Sequence, residues 1–89
     1  MSKGLGQVQR SILAAFDAAP DDLRSCIEIA RWALEKRTIT ESEASSYRRA
    51  LRGFADVGVI VDMGRKWHHG QRYYALPAAA NRWAAAVAF

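Results

Sequence analysis

Cysteine is nearly absent: among 89 residues only Cys26 carries a thiol. That excludes an internal disulfide and a thiolate metal cluster, and it fits a reducing cytoplasm. Long apolar runs are missing as well. None approaches the roughly 20 residues that a bilayer crossing needs. The charged stretch at 1–10 is not followed by the apolar segment of an export signal. A soluble, cytoplasmic protein without a membrane partner is expected. Low-complexity tracts, internal repeats and linkers are lacking too, so 1–89 reads as one domain. A chain this short buries only about 60% of its unfolded surface, which leaves a small core and little room for a deep cleft. No nucleophile–base–orienter set, phosphate-cradling glycine loop or pair of catalytic carboxylates emerges. Neither an enzyme, nor a cofactor, nor a small-molecule ligand is expected.

What is present is charge of one sign, unevenly placed. The formal charge is +4, and arginine outnumbers lysine ten to three. Residues 1–35 hold four basic and five acidic side chains, while the tail from Ala75 adds only Arg82. Residues 36–74 hold eight basic side chains (Lys36, Arg37, Arg48, Arg49, Arg52, Arg65, Lys66 and Arg72) against four acidic ones. A basic balance alone often marks a solvated face. Concentrated on one segment, it points to a polyanionic partner.

The periodicity supplies the scaffold. Val8, Ile12, Ala15, Phe16 and Ala19 share one face of a helix predicted over Gln7 to Ala19, which Pro20 ends. Leu23 and Arg24 read as a short extended piece. Ser25 and Glu28 have capping-box spacing and open a second helix from Cys26 to about Lys36. That helix turns Ile29, Ala30, Ala33 and Trp32 inward, with Cys26 a small buried or half-buried residue at its start rather than a reactive one. Thr40 and Glu43 repeat the box and open a third helix with the apolar face Ala44, Tyr47, Ala50, Leu51, Phe54 and Ala55. At about 100° per residue, Ser42, Ser45, Arg49, Arg52, Gly53 and Asp56 fall opposite, with Arg48 on the flank. Gly58 suits a left-handed helix stop. Val59–Val61 and Gln71–Leu76 read as two strands, joined through a basic tip at Gly64–Gly70. Tyr73 and Tyr74 are expected on opposite strand faces, one in the core and one exposed. Pro77 opens a last helix whose Ala80, Trp83, Ala84 and Val87 share a face.

The order of these elements, and two stretches in particular, resemble the winged helix-turn-helix DNA-binding domains of small bacterial or phage transcriptional regulators. The segment Ser46-Tyr47-Arg48-Arg49-Ala50-Leu51-Arg52-Gly53-Phe54-Ala55-Asp56-Val57-Gly58-Val59-Ile60 looks like that family's recognition helix running into a strand. Arg72-Tyr73-Tyr74-Ala75-Leu76 looks like its returning wing strand. The resemblance covers about 7–76. It implies a mainly α, α+β fold with a three-helix core, a wing and a C-terminal helix at 77–89. The link from Leu34 to Thr40 departs from the family's tight turn, being longer, and the second helix is expected to run on to Lys36 or Arg37.

The same resemblance implies double-stranded DNA as partner, cytoplasmic on the nucleoid, with operator occupancy regulating transcription. A major groove about 12 Å wide admits one helix, here Thr40–Val57. Thr40, Ser42, Ser45, Ser46 and Arg49 would read bases from it. Arg48 and Arg52 would meet phosphates. The wing Gly64–Gly70 would bring Arg65, Lys66, His68 and His69 to the adjacent backbone or minor groove, with Arg72 behind them. Glu43 is assigned to the cap and Glu41 to a base or water. Trp67 is expected to cap the core, with a wedge against the sugar–phosphate backbone as its other role. His68 and His69 diverge and lack further ligands nearby, so no metal is expected. Useful specificity calls for a homodimer spanning two half-sites, with Trp83, Val87 and Phe89 of the last helix as its contact or, alternatively, as closure of the monomer core. A protein-interaction adaptor of the same fold, and a replication or RNA-binding accessory role, are the rival readings.

Overall fold

The computed structural model describes residues 6–65 and 71–87, apart from the side chains of 86 and 87. Among the described residues the order is α1 (Gln7–Ala18), β1 (Arg24–Ser25), α2 (Cys26–Leu34), α3 (Glu41–Asp56), β2 (Val61–Gly64), β3 (Tyr73–Ala75) and α4 (Pro77–Val87). The fold is mainly helical with a small antiparallel sheet, an α+β architecture. None of the described helices is long and apolar enough to cross a membrane.

Helices α1, α2 and α3 pack against one another, and their inward faces are those the periodicity indicates. Ile12, Ala15 and Phe16 of α1, Ile29 and Ala30 of α2, and Tyr47, Leu51 and Phe54 of α3 meet in one core that Ile60 and Tyr74 complete. Both capping boxes form. Ser25 Oγ accepts from the Glu28 amide at 3.2 Å while Glu28 Oε1 accepts from the Ser25 amide at 2.9 Å. Thr40 and Glu43 do the same at 3.1 and 2.9 Å. Each box satisfies donors that a helix start leaves open, which is why two boundaries were readable from four residues.

The strands lie in the order β1-β3-β2. The short extended piece is a true edge strand, Arg24–Ser25, antiparallel to β3 with Arg24 opposite Tyr74 and Ser25 opposite Tyr73. Two apolar layers cover the sheet. The three-helix core takes one face. On the other, Ala75 meets Ala79 and Ala80 of α4, with Leu23, Val61 and Met63 packed around them. Tyr73 and Tyr74 are therefore both buried, and the expectation of one exposed tyrosine is corrected. Alternation holds, but both destinations are dry.

Three further expectations are corrected. Helix α2 stops at Leu34 rather than Lys36 or Arg37, because Glu35 turns left-handed at φ 55° with its amide bonded to the Arg31 carbonyl. Arg31 Nε then donates to the Arg37 carbonyl at 2.9 Å, fastening the link. Trp32 is not inward: it is 44% exposed. It lies about 105° around the helix from the direction shared by Ile29, Ala30 and Ala33. Strand β2 begins at Val61, not Val59. The amides of Gly58 and Val59 return to the carbonyls of Ala55 and Phe54 at 3.2 and 3.0 Å, a Schellman closure with Gly58 at φ 83° as its left-handed residue. Val59 is spent on ending the helix and Ile60 drops into the core.

Candidate nucleic-acid interface

Helix α3 presents three longitudinal strips. Its core strip faces α1 and α2. Opposite, Ser42, Arg49 and Gly53 are exposed, and Arg49 lies closest to the outward direction. On one flank, Glu41, Ser45, Arg48 and Arg52 rise toward the β2–β3 hairpin. That flank, the hairpin and the first turn of α2 enclose an open groove of about 930 Å³. Arg48 and Arg52 line it from α3, while Arg65 and Arg72 line it from the hairpin side. On the other flank Ser46 and Arg49 border a shallower cleft against α1, with Val8, Ala50, Phe54 and Val57 along it.

The four groove arginines are not equivalent. Arg48 Nη2 donates to Glu41 Oε2 at 2.7 Å and to Ser45 Oγ at 3.1 Å. Arg72 Nη1 donates to Asp62 Oδ2 at 2.6 Å. Arg52 and Arg65, and Arg49 on the crest, make no ion pair or side-chain hydrogen bond among the described residues. The Arg48 guanidinium holds the Glu41 carboxyl below the usual glutamate range, first by hydrogen bond and then by charge. Glu41 in turn raises Arg48. Lys36 Nζ sits 2.7 Å from Glu43 Oε2, and that hydrogen bond, with help from Thr40, lowers Glu43.

A β-bulge positions the hairpin arm. Asp62 pairs with Tyr74 and Gly64 with Tyr73, leaving Met63 as the extra residue. Gly64 takes φ 83°, a conformation glycine adopts without penalty. Its amide donates to Asp62 Oδ1 at 2.9 Å. Asp62 thus uses one oxygen to shape the bulge and the other to hold Arg72.

The residues singled out from sequence separate as follows. Thr40 has its hydroxyl committed to the helix cap, and Ser45 bridges Glu41 and Arg48. Ser42, Ser46, Arg49 and Arg52 remain exposed on α3. Lys66, Trp67, His68, His69 and Phe89 lie outside the described residues, as does the side chain of Val87. Trp83 is 37% exposed, and its indole Nε1 donates to the Asp21 carbonyl at 2.8 Å. Arg82 pairs with the Asp21 carboxylate, so α4 is tied to the α1–β1 turn. Glu41 and Asp62 were missed as partners of the arginines. The seven-residue spacing of Glu41 and Arg48, two helical turns, was the available signal for the first. The second needed the bulged register.

Burial pushes the Cys26 thiol up from its ordinary value, and nearby Arg48 opposes that shift only in part. Sγ donates weakly to the Ala44 carbonyl at 3.5 Å, joining α2 to α3 at the groove floor.

The fold and this surface define a small α+β protein whose arginines converge from one helix and one hairpin. Known protein families, curated proteins and solved structures give no match to the chain.

Proposed function

We propose that this chain is a winged helix-turn-helix protein that binds double-stranded DNA sequence-specifically and regulates transcription by occupying an operator. The observation that carries this reading is the convergence of Arg48 and Arg52 from α3 with Arg65 and Arg72 from the hairpin side on one groove. Helix α3 enters the major groove with Arg49, Ser42 and Ser46 toward base edges. Arginine meets the guanine O6 and N7 in bidentate fashion, and short serines allow close approach. Arg52 and Arg65, unpaired among the described residues, meet phosphates on either side and set register without reading sequence. The excess of basic residues over 36–74 draws the duplex to this side of the molecule. Two copies spanning two half-sites supply the specificity that one small module lacks.

A fluorescence titration against random and selected duplexes at 50 and 200 mM salt tests it. Binding is expected to weaken steeply with salt, because each neutralised phosphate releases counterions. Absence of binding at low salt overturns the proposal. Arg49→Ala is expected to relax sequence preference by about 1–3 kcal/mol per lost base contact, whereas Arg65→Ala weakens all sequences alike.

One observation favours the adaptor reading. Val57 is 74% exposed beside the cleft that Val8, Ala50 and Phe54 border. That cleft would receive a protein segment in place of DNA, and Val57→Ser would then abolish partner capture while leaving any duplex affinity intact.

A further inference from the structure

Half of the groove's arginines are already engaged within the chain. Arg48 is held by Glu41 at 2.7 Å and Arg72 by Asp62 at 2.6 Å. The two acids act from opposite sides: Asp62 lines the groove from β2, while Glu41, in the first turn of α3, lies outside the lining and holds Arg48 from beyond it. Both pairs are solvent-accessible, Arg48 and Glu41 at 49% and 82%, Arg72 and Asp62 at 42% and 37%. Neither carboxylate is needed to offset a buried charge. Exposed pairs of this kind contribute little to folding, so stability does not account for two of them flanking one arginine-lined groove.

We infer that Glu41 and Asp62 are specificity-determining residues: they occupy Arg48 and Arg72 and add negative charge at the DNA-facing groove, so that random duplex is held weakly. The inference rests on the DNA-binding reading. A phosphate that approaches the groove meets two guanidinium groups without a partner among the described residues, Arg52 and Arg65, two that a carboxylate already satisfies, and the Asp56 carboxylate in the lining. To recruit Arg48 or Arg72, it must replace the carboxylate at the same nitrogen and accept its repulsion. A duplex docked in full register places phosphates close enough to do so, because base contacts by Arg49 hold it there. A loosely docked duplex does not. Specificity is a difference between two affinities, and unfavourable charge placed against the wrong complex widens it.

Asp62 permits a clean substitution. Its Oδ1 accepts from the Gly64 amide at 2.9 Å and its Oδ2 from Arg72, so Asp62→Asn keeps an oxygen for the bulge while removing the charge. Glu41→Gln does the same on α3 and touches a different element. If one variant perturbs the fold, the other still decides.

The test is a fluorescence anisotropy titration of the whole chain, wild-type, D62N and E41Q, with a labelled random duplex of about 20 base pairs. Salt is varied from 50 to 200 mM, and circular dichroism checks that each variant is folded. Each variant is expected to bind random duplex several-fold more tightly than wild-type at 50 mM. Each recruits one more phosphate, which makes its loss over that salt range about 3-fold larger. Adding Arg72→Ala to D62N is expected to restore the wild-type salt dependence. Unchanged or weaker binding by both folded variants, with wild-type still binding in a salt-dependent way, overturns this inference alone; it would mean that the acids orient the arginines and do not restrain them. Failure of wild-type and both variants to bind at 50 mM overturns the DNA-binding reading and this inference with it.

Discussion

Among the described residues Glu35, Gly58 and Gly64 carry left-handed backbone, and the two that end helices, Glu35 and Gly58, differ in how well they suit it. Gly58 sits at φ 83° without a side chain to clash. Glu35 sits at φ 55° with one. Gly58→Ala is expected to lose about 1–2 kcal/mol. Glu35→Gly is expected to gain about 0.5 kcal/mol, the relief of strain exceeding the added chain entropy of glycine. Urea denaturation of both variants reads these opposite signs, and a loss in both would remove the conformational explanation of the α2 stop. Acid stability belongs to this scale too. Glu41 and Glu43 bind protons less readily folded than unfolded. Their contribution is therefore complete above the ordinary glutamate value near 4.3. It fades as pH falls through their lower folded values. The melting temperature is expected to hold from pH 7 to 5 and to drop below about pH 4, with a shallower drop in Glu43→Gln. Periodicity located the buried residues of α1 and α3 correctly. The expectation for Trp32 failed against its own helical angle, which points away from the core, and one tyrosine was misplaced because a face of a strand says nothing about what covers it from outside.

At the scale of elements, the helix starts were legible and the strand starts were not. A capping box is local, four residues satisfying each other's donors, and Ser25 and Thr40 both announce one. Val59 and Ile60 have strand-forming side chains, yet the closure of α3 claims their backbone first. Thr40→Ala is expected to cost about 1 kcal/mol, measured by thermal or urea unfolding, since it strips one acceptor from the start of α3. Helix α4 closes the second face of the sheet over Ala75. A chain shortened to 1–76 uncovers that layer and is expected to melt at lower temperature by circular dichroism. An unchanged melting temperature would free α4 for an intermolecular role. The arginine positions on α3 were legible from the helical angle, and the two-turn spacing of Glu41 and Arg48 was there to be read, but Asp62 was not, since it meets Arg72 only through the bulged register.

For the whole molecule, on the proposed DNA-binding reading, the decisive quantity is how many copies meet one duplex. On that reading, a copy docked out of register uses only Arg52 and Arg65 against two phosphates, so it is expected to lose about 10-fold in affinity between 50 and 200 mM salt. Two copies on one site square that factor to about 100-fold. Sedimentation of the free protein, set beside the salt slope, separates a preformed pair from copies that meet on the operator. A slope of one copy on a palindromic site would exclude both.

Ser25, 2% exposed, ends β1 opposite Tyr73 and caps α2 in the same residue. No spacer separates the strand that braces the hairpin from the helix that braces α3. The two arms therefore stand on a common rigid footing. A load applied to the hairpin is shared with the helical core instead of being absorbed by a hinge, and closing the two arms on a ligand costs little ordering entropy. Slow amide exchange at Ser25, Glu28 and Tyr73, unchanged on binding, is the signature of such a stiff joint.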